Sequence, residues 1–203
     1  MKKLLILIGL IAVFTGCEKE TIESTSENAD ALIKDEVYKL KEIMYQFSPG
    51  EKGIETYDVF TKSLHFSNGT SVAQKVIYDP SENLMESSLF QSDDLRKYNI
   101  RDTVGISVPI EISESGNITL GEGKWPFSQK TERMPSHLNF KDSMYVQPNK
   151  KLDMDMAIHM VRYECAFKGI IVGEVSGNEV EITGLWQGNY PVDADVDYSI
   201  QDL

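Results

Sequence analysis

Acidic side chains recur at alternate positions near the C-terminus, at Asp193, Asp195 and Asp197. Carboxylates are ligands for calcium, but this spacing lacks the glycine turn and the terminal Glu of a calcium-binding loop. Alternate positions on a strand lie on the same face of a sheet. The pattern therefore indicates a solvated strand face and no metal site.

The other side chains with catalytic chemistry are isolated from one another. His65, His137 and His159 lack the spacing of metal ligands, and nothing in the sequence places any of them beside the thiol of Cys165. We expect Cys165 to pack in the core. Residues 121–123, Gly-Glu-Gly, lack the rest of a phosphate-binding loop, and no Gly-x-Ser-x-Gly motif occurs. We predict a protein that is not an enzyme and that needs no cofactor.

The composition is that of a globular protein, with 203 residues, 41% hydrophobic and 26% charged. Asp and Glu number 32 against 20 Lys and Arg, which gives a formal net charge of -12. Nucleic acid is excluded as a partner by this balance, because phosphate binding needs a surplus of basic side chains. Two cysteines cannot form a disulfide framework.

The N-terminus has the pattern of an export signal. Lys2 and Lys3 precede an apolar run over residues 4–14, which is too short to span a bilayer. Residues 14–17, Phe-Thr-Gly-Cys, resemble the lipobox of bacterial lipoproteins, although Phe14 stands where Leu is usual. The alternative is an ordinary signal peptide with an incidental cysteine.

The lipobox resemblance implies that residues 1–16 are removed and that Cys17 is acylated, so that the chain is anchored in a lipid membrane. Several acyl chains on one cysteine would make the anchor durable. Residues 18–20, Glu-Lys-Glu, resemble the surface-export tag of some Gram-negative lipoproteins. We therefore expect the protein at the outer membrane or cell surface of a Gram-negative bacterium, with residues 17–29 as lipidated N-terminus and tether.

One helix is predicted over residues 30–47, followed by strands up to residue 66. Apolar side chains recur there at spacings of three and four, and Ser48-Pro49-Gly50 would end the helix. The apolar positions are Ile33, Val37, Leu40, Met44 and Phe47. Such a helix would cover one face of a sheet, or alternatively bind a partner.

From Gly53 onward the pattern alternates, with turn signals at residues 67–69, 79–81, 115–117, 147–149, 176–178 and 187–189. This indicates an antiparallel, mainly β body with long strands. Apolar and polar residues alternate strictly over residues 151–160, and after Val161 the apolar phase moves to Tyr163, Cys165 and Phe167. We expect a bulge, or a change of packing environment, near Arg162.

Short motifs over residues 67–203 resemble, in their order, the aerolysin and epsilon-toxin family of β-pore-forming proteins. The most distinctive is Val146-Gln147-Pro148-Asn149-Lys150, which opens the long alternating strand and its aromatic end at 163–173. The other matching segments lie at residues 68–74, 87–90, 103–108, 118–121 and 184–188. The resemblance implies an elongated aerolysin-like fold, whose central hairpin enters a membrane after homo-oligomerisation.

Residues 103–125 are the predicted insertion hairpin. Its first arm alternates as a transmembrane strand requires, with Val104, Ile106, Val108, Ile110 and Ile112 on one face. The return arm follows a turn at residues 113–116 and continues that face with Ile118 and Leu120, but then with Glu122 and Lys124. Charges there oppose insertion, so either the register differs or the fold is kept without a pore.

Two non-catalytic functions remain open. The first is a lipid-anchored surface protein that interacts with membranes, and this hypothesis includes the formation of a pore. The second is an envelope-anchored binding module for a glycan, a peptide or an envelope protein, with a sugar site lined by Trp125, Trp186 and Tyr190. Aromatic side chains in strands are also frequent core residues. A hydrolase would require two carboxylates placed across one cleft.

Overall fold

The structure, a computed structural model, describes residues 36–60, 63–79, 84–101, 105–123, 125–136 and 138–203. These residues form twelve strands and one 3-10 helix, which confirms the predicted mainly β class. In chain order they are β1 (Val37–Gln46), β2 (Ile54–Phe60), β3 (Leu64–Asn68), β4 (Gln74–Tyr78), β5 (Met85–Gln91), the 3-10 helix (Asp94–Arg96), β6 (Asn99–Ile100), β7 (Pro109–Ile112), β8 (Ile118–Leu120), β9 (Glu132–Pro135), β10 (Asp142–Val146), β11 (Lys150–Gly173) and β12 (Glu179–Asp202).

Two strands of 24 residues each, β11 and β12, form the long axis of the molecule. They pair antiparallel from Lys150 with Asp202 to Val172 with Glu179, and a turn with Gly177 at a φ of 69° joins them. At about 3.3 Å per residue each strand is roughly 75 Å long. The predicted long strands and the elongated body are confirmed.

The other strands add to this central pair. On one side β1, β2 and β3 pair with successive parts of β11, and β6 adds to β1 in parallel. On the other side β5 pairs with β12, and β9 pairs with β5. Two small sheets, β4 with β10 and β7 with β8, lie outside this main sheet. The domain boundary between residues 66 and 67 stays a prediction.

The predicted change of packing environment along β11 is confirmed. Up to Met160 the buried side chains are those at even positions, and from Val161 they are those at odd positions. Leu152 and Met154 pack with residues of β4 and β10, whereas Tyr163 and Phe167 pack with residues of the β7–β8 segment and β12. One strand thus contributes to separate cores on its opposite faces.

The helix predicted over residues 30–47 is wrong where the chain is described, because Val37–Gln46 is strand β1; residues 30–35 lie outside the described residues. The cause is a β-bulge. Leu40 pairs with Ile171 and Glu42 with Ile170, so that Lys41 is inserted between them. On each side of the bulge, side chains on the same face lie two residues apart, but across the bulge they lie three residues apart. This spacing of three resembles that of a helix.

The turns predicted at residues 115–117 and 176–178 are present, and the turn near 147–149 has Asn149 at a φ of 57°. The turn predicted at 187–189, which overlaps the motif at 184–188, is wrong, because these residues lie inside β12. Gly188 leaves room for the side chain of Trp186. A Cβ at Gly188 would lie 2.4 Å from the Trp186 ring, which occupies the room above it.

Candidate functional site: the 105–125 hairpin and its seat

Residues 105–125, without Lys124, which is not described, form the hairpin that the sequence predicts; we call it the hairpin. Its arms are joined to each other by backbone hydrogen bonds, with the Gly121 amide donating to the Val108 carbonyl at 2.9 Å. Ile106 and Trp125 form a bridge at its base, and the tip is closed by the Ser113 amide bonding to Asn117. The two arms therefore pair with each other as a separate two-stranded sheet, and none of the described main-sheet strands extends it.

The first arm turns a mainly apolar face toward the body. Ile106, Val108 and Ile112 are buried, and Ile118 of the return arm is partly buried against the same cluster. Val104, predicted on this face, lies outside the described residues. Burial of an aliphatic side chain contributes about 1.5–3 kcal/mol, so the three buried ones hold the hairpin to the body by roughly 5–9 kcal/mol.

The strict alternation predicted for the first arm is wrong at Ile110. Pro109 pairs with Leu120 and Glu111 with Thr119, which makes Ile110 the extra residue of a β-bulge. As a result Ile110 is 43% exposed and Leu120 is 49% exposed. The outer surface of the hairpin thus carries two neighbouring apolar side chains.

The register of the return arm also differs from simple alternation. Between the pairs Pro109–Leu120 and Ile106–Trp125 the first arm contains residues 107–108, whereas the return arm contains residues 121–124. Glu122 lies in this longer stretch and is exposed. Contrary to the prediction, Glu122 therefore does not continue the apolar face in the folded hairpin. The next pair formed between the arms is again apolar, Ile106 with Trp125.

Beneath the hairpin the body presents mostly aromatic side chains, which we call the seat: Tyr45 of β1, Tyr163 and Cys165 of β11, and Trp186 and Tyr190 of β12. They belong to the same buried cluster as Ile106, Val108 and Ile112. The sequence pattern identified Tyr163 and Cys165 as apolar-face positions. It provides no signal for Tyr45, because the apolar spacing predicts a helix where β1 lies.

The hairpin is attached to the seat through two tyrosine hydroxyls. The Tyr45 hydroxyl donates to the Ser107 carbonyl at 3.0 Å, and the backbone amide of Ile112 hydrogen-bonds to the Tyr163 hydroxyl. Burial, together with the Glu111 carboxylate, raises the pKa of Tyr163. Because β7 and β8 stay outside the main sheet, the hairpin can separate from the body without breaking a strand ladder.

Other polar atoms of the seat are also buried. Burial raises the pKa of the Cys165 thiol to about 12, so that it stays neutral, and its predicted core position is confirmed. The Trp186 indole donates to the Ser88 hydroxyl at 2.9 Å. The Tyr190 hydroxyl is buried and, among the described residues, has no hydrogen-bond partner.

The three aromatic residues predicted to line a sugar site are core residues instead. Trp186, Tyr190 and Trp125 are 0%, 4% and 5% exposed. Trp125 closes the base of the hairpin, and the other two belong to the seat. Bulky rings on alternating strand positions fill the space between hairpin and sheet, so the exposure that a sugar site requires is lacking.

The remaining predicted residues lie elsewhere. Asp193, Asp195 and Asp197 are exposed on β12, as predicted, and no group of side chains suited to a metal ion occurs in the described residues. His159 lies across from them, with its Nε2 atom 3.1 Å from an Asp195 oxygen. Cys17 lies outside the described residues.

An open cleft of about 770 Å³ lies where the 3-10 helix meets β5 and β12. Its lining is mainly polar but includes Leu89, Phe90 and Leu185, of which Leu185 is 44% exposed. The side chains that line it include Gln91, Asp93, Arg96, Gln129, Thr131 and Thr183. No sequence pattern predicts this cleft, because its lining comes from three separate segments.

Within the described part of the chain, no helix has the length and apolar character needed to cross a membrane. No protein-family model matches the chain, and no curated protein matches it either.

Solved structures do resemble it in fold. The lamprey immune protein matches with a TM-score of 0.52 and 12% identity over 81% of this chain, which corresponds to 53% of the lamprey chain. The chain thus spans about half the length of that protein. Parasporin-2 of Bacillus thuringiensis, a toxin that recognises cancer cells, has a TM-score of 0.35 and 10% identity over 81% of this chain and 74% of its own. An aerolysin-like protein of Bombina maxima has the same TM-score and identity over 81% and 99%.

Proposed function

We propose that this protein is a lipid-anchored surface protein that acts on membranes without catalysis, by releasing the hairpin from its seat and inserting it into a bilayer as part of a homo-oligomer. The observation that carries the proposal is the hairpin itself: an apolar-faced hairpin, bonded internally and seated outside the main sheet. A strand that must leave the body for lipid needs this arrangement, because a bilayer offers no partner for an open backbone.

The energetics favour release at a membrane over release in water. The roughly 5–9 kcal/mol that bind the hairpin's apolar face to the body would be lost in water. In lipid the same side chains remain out of water, and the exposed pair Ile110 and Leu120 adds apolar surface that is not used in the soluble form. The seat that is left behind consists mainly of tyrosines, whose hydroxyls water can bind.

The anchor proposed at Cys17 would hold this body at the outer membrane or the cell surface of a Gram-negative bacterium. The polar residues 18–29 would act as the tether. A tethered protein meets its own membrane or a cell in direct contact first, so the target is a bilayer within reach of the anchor.

The test is dye release from liposomes by the purified chain without its lipid anchor, combined with electron microscopy of the protein on those liposomes. Release together with ring-shaped or detergent-resistant assemblies supports the proposal. A folded protein that binds liposomes or cells but neither releases dye nor assembles would contradict insertion.

The polar cleft favours a second function, a binding module for a glycan. Amides, hydroxyls and charged groups around an exposed aliphatic residue suit the hydroxyls and the apolar ring face of a sugar. Binding on a glycan array that is lost in Gln129→Ala, without any effect on liposomes, would favour this function over membrane insertion. An exposed control such as Gln201→Ala should leave glycan binding unchanged.

A further inference from the structure

Two tyrosines of the seat differ in whether their hydroxyl has a partner. The Tyr45 hydroxyl, on the main-sheet strand β1, donates to the Ser107 carbonyl of the hairpin at 3.0 Å. The Tyr190 hydroxyl, on β12, is buried and has no partner among the described residues. The same chemical group therefore has opposite consequences at these two positions.

The Tyr45 hydroxyl favours the docked hairpin. Its hydrogen bond joins the body directly to the hairpin backbone, so it has to break when the hairpin leaves. The ring itself belongs to the body, since it packs edge-on against Trp186 with 5.9 Å between ring centroids. Removal of the hydroxyl alone would thus loosen the hairpin and keep the ring contact.

The Tyr190 hydroxyl favours the released hairpin. A buried hydroxyl without a partner loses its hydration and gains nothing in return. The ring lies 6.3 Å from that of Tyr163, whose hydroxyl meets Ile112 of the hairpin, and both rings belong to the buried cluster that contains Ile112. When the hairpin leaves, water reaches this cluster and the Tyr190 hydroxyl is hydrated again.

We propose that these two hydroxyls set the threshold of hairpin release, with Tyr45 acting as a latch and Tyr190 as the group that opposes docking. This inference rests on the proposed function, because it concerns release of the same hairpin. One hydroxyl stabilises the docked hairpin and the other destabilises it.

Cys165 provides a native probe of this release. In the full chain with Cys17→Ser it is the single thiol, and it is buried in the seat. Both Tyr45 and Tyr190 lie close enough to interact with it electrostatically. A small disulfide reagent such as dithionitrobenzoate reacts with the buried Cys165 only when the structure around it opens, so the labelling rate reports such openings. Because Cys165 also borders a cleft lined by residues 51–53, hydrogen exchange of residues 105–123 is measured alongside to assign the opening to the hairpin.

The test compares labelling of Tyr45→Phe, Tyr190→Phe and the exposed control Tyr198→Phe in this background. We expect labelling of Tyr45→Phe to be about 2- to 13-fold faster than that of the parent protein, because one net hydrogen bond is lost. Labelling of Tyr190→Phe should be at least about 5-fold slower, because a buried hydroxyl without a partner is removed. Tyr198→Phe should match the parent protein. Chemical denaturation of each variant separates seat opening from global unfolding, and hydrogen exchange of residues 105–123 locates the opening.

Changes of the same sign in the two seat variants, or rates equal to that of Tyr198→Phe, would overturn the latch. Because the labelling requires no membrane, it is decided separately from the proposed function. Opposite shifts in labelling, combined with no dye release from any variant, would support the latch and refute insertion. Dye release with unchanged labelling would do the reverse.

Discussion

A lysine on the hairpin tests insertion most directly when it is placed where the soluble protein tolerates it. Ile110 is 43% exposed in the folded protein, and Thr119 of the opposite arm is exposed as well. Ile110→Lys and Thr119→Lys therefore add the same charge to the same hairpin, with little effect on the core. We expect both variants to unfold at nearly the temperature of the parent protein.

The two positions separate once the hairpin enters lipid. In an extended strand Ile110 shares a face with Val108 and Ile112, which would meet the acyl chains. Thr119 pairs with Glu111 and lies on the other face, which would meet water. A lysine facing lipid costs about 2–4 kcal/mol at mid-bilayer and about 0–1 kcal/mol near the interface.

Ile110 would lie between these depths, two residues from the middle of residues 104–112, so we assign it about 1–3 kcal/mol in each subunit. At about 1.4 kcal/mol per factor of ten, Ile110→Lys should reduce insertion by roughly 5- to 150-fold even before the cost accumulates over an oligomer. Thr119→Lys should stay within about threefold of the parent protein.

The assay is the initial rate of dye release from zwitterionic liposomes, on which the added charge has no surface potential to respond to. Thermal unfolding of each variant accompanies it. Equal rates for the two variants at unchanged stability, or a larger loss for Thr119→Lys, would refute the assignment of the apolar face to lipid. Leu120→Lys, on the other arm, should repeat the result of Ile110→Lys.

Three further predictions address the anchor, the exposed face and the base of the hairpin. Cys17→Ser should abolish incorporation of radiolabelled palmitate and move the protein from the detergent phase to the aqueous phase; retention in the detergent phase would contradict the anchor. Hydrogen bonds to Asp58 and then to Asp195 raise the pKa of His159 above 6.5. The stabilising contribution of His159 is therefore complete below pH 6.5 and is lost as the pH rises through the higher pKa of the folded state. The difference in melting temperature between the parent and His159→Gln should therefore shrink from pH 5.5 to pH 8.5, and a difference that grows would contradict this pairing. Gly123→Ala would place its Cβ 1.9 Å from the Ile106 carbonyl oxygen and should destabilise the protein by more than about 1 kcal/mol in chemical denaturation, whereas Gly69→Ala, with open space around it, should be nearly neutral.

The long strand β11 could be predicted from the sequence because its alternation is strict and long. The same alternation located the change of face near Val161, since burial on both sides of one strand leaves a visible phase shift. β1 could not be predicted in this way. A single inserted residue, Lys41, changes the apolar spacing there from two to three, and only the pairing with β11 shows that the chain is a strand.

The candidate site was predicted in part for a similar reason. The apolar face of the hairpin follows from local alternation, and the structure places Ile106, Val108 and Ile112 on it. The bulge at Ile110 and the longer return arm depend on how the two arms pair, which no local pattern specifies. The seat depends on contacts between strands distant in sequence, so Tyr45 could not have been connected with Ser107.

In the proposed function the hairpin and the main sheet would have separate roles in membrane insertion. The main sheet is held by two strands of 24 residues paired along nearly their whole length, so departure of the hairpin leaves its ladder unchanged. The hairpin in turn keeps its own backbone bonds, and its contact with the body consists of apolar side chains and hydrogen bonds to two tyrosine hydroxyls. Apolar contacts are exchanged readily for lipid, whereas ladder bonds are not. The apolar contacts are of the kind that a bilayer can replace, whereas the two hydrogen bonds to tyrosine hydroxyls have to break. Release of the hairpin would therefore need no unfolding of the body, and the barrier to it would lie in the seat.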